Sequence, residues 1–325
     1  MALEFGSSSL KVVEVNYRQD KVELEDFVVK RWDKSLIKET GFDFNRAKGI
    51  LQRIFKKNKF STPNLSLVLS GREIILKILV LPKVGREELA NLLLWEVEDR
   101  LKAPREDLVF DYKVLSEEED KMKVLLAITN KKRLLKQISL LEQLGFKVTK
   151  VNAASLVFKN LLNTKLRAKK VAIINIGAQE TVLTILACGK FSFRRIIPLG
   201  GADITDEIKT RTGLTYKEAK KWKESSQFNS ITELDTLDKL IDKINLSIHY
   251  WSQQGKEIEQ LLLTGGGVKL NGLRKTIAKE LRIKVQFLTG LSQFEVETKN
   301  FSKYALKESL PYLAVSLAGT LRGEN

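Results

Sequence analysis

The chain has 325 residues, enough to bury a large core and to form more than one lobe. Its 56 Lys and Arg against 40 Asp and Glu give a net charge of +16, in a composition of 43% hydrophobic and 30% charged residues that describes a globular chain suited to anionic partners. A lone cysteine, Cys188, excludes a disulfide framework; a lone histidine, His249, excludes multi-histidine metal centres; and the absence of a signal-like or bilayer-length apolar run makes the cytoplasm the expected compartment.

In chain order, Ala2 to Phe5 reads as a short strand, Gly6-Ser7-Ser8-Ser9 as a small-residue turn, and Leu10 to Val15 as a second strand. A third alternates through Val22, Leu24, Phe27 and Val29. The turn offers backbone N–H groups and three hydroxyls to an anion, with the Lys11 ammonium just beyond. Ala47, Ile50, Leu51, Ile54 and Phe55 recur at helical spacing, so an amphipathic helix is predicted over about 44–57. Strands Leu65 to Leu69 and Ile74 to Leu81 follow, split by Ser70-Gly71 and closed by Pro82.

From Gly85 the pattern becomes helix (Leu89 to Leu101), strand (Val109 to Leu115), acidic turn (Ser116 to Asp120), strand (Val124 to Ile128) and helix (Leu134 to Leu144, ended by Gly145). This is a compact α+β insertion into a first lobe. A strand over Val148 to Val151, a helix over Ala154 to Leu162 and a basic joint at Lys165 to Lys170 lead out of it. Val171 to Ile176, Gly177-Ala178 and Thr181 to Ala187, then Phe191 to Ile197, repeat the opening of the chain: strand, glycine-plus-small turn, two strands. An echo about 170 residues away is what a duplicated fold produces. Pro198-Leu199-Gly200-Gly201 leads into helices, the second opened by a Thr215-to-Glu218 capping box and the third marked by Ile241, Ile244 and Ile248. Leu261 to Leu263 is a strand that stops at Gly265-Gly266-Gly267, with a further turn at Asn271-Gly272. An apolar helix closes the chain.

The positive charge lies in dispersed groups (Arg53, Lys56, Lys57, Lys59; Lys131, Lys132, Arg133; Lys217, Lys220, Lys221, Lys223) placed mostly on polar helix faces, with no nucleic-acid-reading motif beside them. His249 sits mid-helix beside Tyr250 and Trp251, and Cys188 sits in the turn Ala187-Cys188-Gly189-Lys190; neither has the neighbours of a catalytic group.

Six stretches, Gly6 to Lys11, Leu94-Trp95-Glu96-Val97-Glu98, Leu108 to Tyr112, Ile176-Gly177-Ala178, Ile197 to Gly201 and Leu261 to Leu273, together resemble the actin-like ATPase superfamily of actin, sugar kinases and heat-shock chaperones. Within it they resemble the PilM family of type IV pilus assembly proteins, over essentially the whole chain. The resemblance implies an α/β, two-lobed actin-like fold built on duplicated ribonuclease-H-like cores. The first lobe is expected at 1–168 with the inserted α+β subdomain at about 83–152. The second is expected at 169–325, with a helical insertion at about 203–255 and a C-terminal helix at 310–322 returning toward the first lobe.

It further implies ATP with Mg²⁺ in the interlobe cleft, held by Gly6, Ser7, Ser8, Ser9 and Lys11, by Gly177 and Ala178, and by Gly265, Gly266 and Gly267, with Glu218 and Lys221 approaching base and ribose. By the same resemblance the protein is a scaffold at the inner face of the cell membrane. It binds the cytoplasmic N-terminal peptide of a PilN-like single-span protein in a groove between the first subdomain and the inserted one, within a pilus or competence platform. Self-association is left open.

The departures fall on the chemistry. Where the superfamily has aspartates in its phosphate loops this chain has Glu4 and Asn175. Glu4 can still hold a hydrated Mg²⁺ from one methylene further out, whereas Asn175 removes a charge that orients the attacking water. No catalytic residue is assigned; nucleotide binding with negligible hydrolysis is expected. An active ATPase or small-molecule kinase of the same fold is the alternative. A further one, an FtsA-like division filament, calls for a C-terminal membrane anchor, and here the chain ends at Gly323-Glu324-Asn325 straight after the last apolar helix.

Overall fold

The computed structural model describes all residues except 19–20, 33–35, 39–40, 59, 102–103, 226–227, 229–232, 254, 256, 297–299 and 322–325. Lys59, the Gly323-Glu324-Asn325 end and the last residue of the helix expected at 310–322 therefore lie outside the described residues.

β1 (Ala2–Phe5), β2 (Ser9–Arg18) and β3 (Lys21–Arg31) form an antiparallel meander, and a short hairpin of β4 (Ile37–Lys38) and β5 (Gly41–Phe42) precedes α1 (Phe44–Asn58). β6 (Asn64–Leu69) lies parallel to β1. Next come β7 (Ile75–Pro82), α2 (Arg86–Leu101), β8 (Leu108–Glu117), β9 (Lys121–Asn130), α3 (Lys131–Glu142) and β10 (Lys147–Ala153). After the single turns α4 (Ala154–Val157) and α5 (Thr164–Arg167) the meander recurs as β11 (Lys170–Ile176), β12 (Thr181–Ala187) and β13 (Lys190–Ile197). Helices α6 (Gly201–Thr212), α7 (Tyr216–Glu224) and α8 (Asp235–Ser252) follow. β14 (Gln260–Thr264), α9 (Leu273–Leu281), β15 (Val285–Phe287), β16 (Glu295–Val296) and α10 (Lys303–Thr320) complete the chain.

The chain divides into two compact units, one of Met1–Phe42, Lys59–Gly71 and Thr149–Asn325, the other of Asp43–Asn58 and Arg72–Val148. The larger unit holds two sheets of matching topology, ordered β10-β6-β1-β2-β3-β16 and β15-β14-β11-β12-β13. In each, a three-stranded meander is extended by a strand parallel to its first member. The echo read from the sequence is thus a duplicated sheet.

The central strands of the second sheet, β11, β12 and β14, are buried on both faces, which is why they are continuous apolar runs and not alternating ones. Ala172, Ile174, Leu261 and Leu263 face a core made with α6, α8 and α9, while Val171, Ile173 and Leu262 face the other way, against α10 and residues of the first sheet such as Ala2, Val13 and Val68. Helix α10 starts earlier than the expected residue 310. Ser302 caps it by accepting from the Ala305 N–H at 3.0 Å, and Pro311, ordinarily a helix breaker, sits in its middle. The expected helix at Ala154 to Leu162 is one α-turn continued as a 3-10 turn over Phe158–Leu161.

The smaller unit is a three-stranded antiparallel sheet, β7-β9-β8. Leu89, Leu93 and Val97 of α2 seal one face of it against Leu79, Leu81, Val124 and Leu126. The strand expected before the insertion, Ile74 to Leu81, belongs to this sheet as β7. Pro82 fits inside it because β7 is an edge strand, where a missing N–H costs no ladder bond. Helix α1 lies in the same unit against α3, with Phe55 and Phe146 rings 4.5 Å apart.

Candidate functional site

Within the larger unit, equivalent turns end the first strand of each meander, and the sequence-predicted residues gather around them. At the first, the Gly6 N–H donates to the Ser9 carbonyl at 3.0 Å, and Trp32 locks the turn by donating its indole N–H to the Gly6 carbonyl at 3.0 Å and its backbone N–H to the Ser8 carbonyl at 2.9 Å. Ser9 is buried and Ser7 is exposed, so of the three hydroxyl-bearing residues Ser7 is the one most open to a ligand. The Lys11 ammonium folds back over Gly6, where any side chain would run into it, and lies 3.2 Å from Glu4 Oε1.

Glu4 is 4% exposed. Its Oε1 also accepts from the Ser70 hydroxyl at 2.9 Å, while Oε2 is buried without a hydrogen-bond partner among the described residues. A buried carboxylate oxygen left unpaired is costly, and a hydrated cation is the kind of group that would satisfy it.

The second turn is built of backbone. Gly177 N–H donates to the Glu180 carbonyl at 2.9 Å; the first N–H groups of α6, from Gly201 and Ala202, donate to the Gly177 and Ala178 carbonyls at 2.9 and 2.8 Å. Asn175 stands at the end of β11 opposite Thr264 of β14, its amide oxygen against Gly265. The glycine run is required by this packing. Gly265 has φ +89°, which a side chain rarely adopts, and Gly267 approaches Ile176 on one side and Gly201 on the other. Gly266 lies against the Tyr312 ring of α10, so a side chain there would strike Tyr312.

The two turns are joined through Ser70-Gly71. Gly71, at φ +55°, presses its α-carbon against the Glu180 carboxylate, and its carbonyl accepts from the Arg194 guanidinium. Desolvation lowers the Arg194 pKa to about 10, with the Glu180 charge opposing the shift. A relay of Lys11, Glu4, Ser70, Gly71, Arg194 and Glu180 therefore links the first turn to the second.

The pair expected to approach base and ribose is exposed on α7, and neither residue is among the nearest neighbours of the glycines. Glu218 Oε2 closes the capping box, accepting from the Thr215 N–H at 2.9 Å and hydroxyl at 2.6 Å, hydrogen bonds that lower its pKa; Lys221 is exposed. The residue of α7 that faces them is Lys223. It is 4% exposed, and its ammonium donates to the Gly201 carbonyl at 2.5 Å and the Thr205 hydroxyl at 2.6 Å; burial lowers its pKa to about 8. The expectation that this lysine group lies on a polar face fails at Lys223. The signal for it was available: Lys223 is four residues after Ala219, the fully buried residue of the same helix.

His249 is exposed on α8, and Cys188 is an exposed free thiol in a turn at φ +51°. On α2, Trp95 is 59% exposed while Leu93 and Val97 are buried.

The sequence model of the family described as type IV pilus assembly protein PilM matches residues 2–323. The chain belongs to the PilM family. The solved PilM-PilN type IV pilus biogenesis complex is similar to it at a TM-score of 0.87 and 22% identity, covering 98% of both chains. The ethanolamine utilization protein EutJ of Carboxydothermus hydrogenoformans follows at 0.59 and 13%, covering 99% of this chain and 89% of its own. ADP-bound MreB5 of Spiroplasma citri matches at 0.51 and 12%, covering 98% and 94%. The fold of this PilM-family chain is the actin-like fold. Among its described residues no helix is long and apolar enough to cross a membrane.

The glycine cradle, the two turns, the orphaned Glu4 oxygen and the buried Lys223 ammonium fit a phosphate-bearing nucleotide with a hydrated cation. Gly6 to Ser9, Lys11, Gly177, Ala178 and Lys223 are the residues that would hold it, and Glu4 would face the metal through water. ATP would bring the phosphates; the chain supplies donors and one carboxylate, and Asn175 brings an amide where a second carboxylate would add charge.

Proposed function

We propose that this protein is a scaffold of a type IV pilus or competence assembly platform, held at the membrane by the cytoplasmic N-terminal peptide of a PilN-like protein and binding ATP with little or no turnover. The observation that carries the reading is the family match over residues 2–323, with the solved PilM-PilN complex as its structural counterpart. Trp95, a large apolar side chain exposed on α2, is our candidate for contact with the peptide, because the buried stripe of that helix is already complete without it. ATP binding is supported by the cradle around Gly177, Gly201 and Gly267 and by the nucleotide in the MreB5 relative. The lobe boundaries near 168 and at about 83–152, and a location at the inner face of the membrane, belong to the same reading.

The test is titration with the labelled N-terminal peptide of the PilN-like protein from the same genome. Saturable binding at micromolar peptide is expected, and no binding at high micromolar peptide refutes the partner.

A further inference from the structure

The larger unit carries a basic face that the nucleotide and peptide readings leave unused. Helix α9 buries Leu273 and Ile277 in the core, while Arg274, Lys275 and Lys279 are exposed. Arg282 ends the helix in the left-handed region at φ +53°, and Lys284 leads into β15; both are exposed. From Arg274 to Phe287 five residues are basic and one, Glu280, is acidic. None of the five makes an ion pair among the described residues. The helices before it differ. On α6 and α7 the lysines and arginines are interleaved with carboxylates such as Glu207 and Glu218, and Arg211 lies 2.7 Å from Glu207.

An aromatic ring completes the face. Phe287 closes β15 and is 47% exposed, with the Arg274 guanidinium 5.9 Å from its ring centroid. β15 is an edge strand of three residues. Lysine and arginine by themselves are what an edge needs to repel another strand, but an exposed phenylalanine beside them works against that purpose. Unpaired cations around an exposed ring are the composition of a membrane-interface contact: the cations meet anionic headgroups and the ring enters the boundary between headgroups and acyl chains. A single-stranded nucleic acid would answer to the same charge, but it calls for a platform of several rings on which bases stack, and Phe287 is the one aromatic residue of α9 and β15.

We propose that the α9–β15 face lies against an anionic lipid surface, with Arg274, Lys275, Lys279, Arg282 and Lys284 on the headgroup phosphates and Phe287 in the boundary beneath them. The inference rests on the location at the inner face of the membrane in the reading above, and adds to the peptide a second attachment made by the chain itself. The two reinforce each other, because a peptide tether holds the face at high effective concentration over the lipid. Five cations and one ring give a contact that is weak alone and sensitive to salt.

Flotation of the full chain with vesicles of phosphatidylglycerol and phosphatidylcholine in equal parts, against phosphatidylcholine alone, is the test, with thermal melts confirming that every variant is folded. Wild type is expected to float with the anionic vesicles and not with the neutral ones, and to be released by added salt. Each cation contributes about fivefold, so Lys275→Gln, Lys279→Gln and Lys284→Gln together should weaken uptake about a hundredfold, and Phe287→Ser about fivefold. Removing the same charge as Lys113→Gln, Lys123→Gln and Lys190→Gln should leave uptake within a few-fold of wild type; Lys190 is on β13, at the opposite edge of the sheet, and the other two are exposed in the smaller unit. No flotation of wild type at low salt overturns the proposal. Equal loss in both triple variants, which would report net charge alone, does so too, as does a wild type that takes up labelled nucleic acid and no vesicles. Titration with the PilN-like peptide runs alongside: peptide binding without vesicle uptake overturns the lipid contact alone, and vesicle uptake without peptide binding supports the contact while refuting the partner.

Discussion

Replacing Lys223 with methionine separates a cost of folding from a gain in binding. The folded pKa is lowered by burial from 10.5 to about 8, a difference of about 3 kcal/mol between the two protonation states. Below pH 8 both folded and unfolded chains hold the proton, and the folded state bears the whole desolvation cost. Between pH 8 and 10.5 the unfolded chain keeps a proton that the folded chain has released, so stability contributed by this group rises with pH. Above 10.5 both are neutral and the cost is gone. Lys223→Met keeps the side-chain length, has no proton to lose and strands no acceptor, since the Gly201 carbonyl still accepts from the Thr205 hydroxyl at 2.8 Å. Urea unfolding of both proteins at pH 7, 8, 9 and 10 is the assay. The stability of wild type relative to Lys223→Met should climb by about 3 kcal/mol from pH 7 toward pH 10.5. At pH 7 the variant should be at least as stable as wild type and should lose most ATP-induced stabilisation. A pH-independent difference, or a variant much less stable at pH 7 with full ATP stabilisation, refutes the assignment.

Other outcomes follow from the same geometry. Trp95→Ala should leave stability almost unchanged and weaken peptide binding at least about tenfold, whereas Leu93→Ala, at a fully buried site, should cost about 2–5 kcal/mol in denaturant unfolding and leave peptide contacts in place. Asn175→Asp should leave ATP affinity within a few-fold and introduce measurable phosphate release; wild-type turnover at ordinary ATPase rates would end the binding-only reading. Gly266→Val should destabilise the fold by about 1–3 kcal/mol before any ligand is added, because its side chain meets the Tyr312 ring, so lost nucleotide stabilisation in that variant reports packing as well as binding.

The duplication was legible because strand, glycine-plus-small turn and two strands recur in the same order, and in the second copy burial of β11, β12 and β14 on both faces writes continuous apolar runs that cannot be mistaken for amphipathic helices. Strand pairing was less so. The alternation of β7 is the same whichever sheet receives it, and nothing in Ile75 to Pro82 says that its neighbour is Lys121 to Asn130 and not β6; the residue that hinted at an edge, Pro82, also reads as a plain terminator. Helix α10 was shortened at its start for a related reason: Pro311 is a breaker by intrinsic preference, and tertiary packing of Leu306, Leu313 and Leu317 overrides it.

The site divides along the same line. Backbone positions were readable, since glycines at Gly6, Gly177, Gly265 and Gly267 announce close approach wherever they occur. Side-chain roles on α7 were not, because a lysine is solvated by default and Lys217, Lys220, Lys221 and Lys223 look interchangeable in a basic helix. What distinguishes Lys223 is its phase relative to Ala219, which turns its ammonium into the space between Gly201 and Gly267. A lysine placed there at a cost of about 3 kcal/mol is poorly explained by stability, and the physical reason to keep it is an anion that shares the same wall of glycines. Glu4 makes the complementary argument from the opposite sign: its Oε1 is held by Lys11 and Ser70, but its buried Oε2 has no hydrogen-bond partner among the described residues. A metal-bound phosphate is the chemistry that would satisfy both at once, and neither residue alone calls for it.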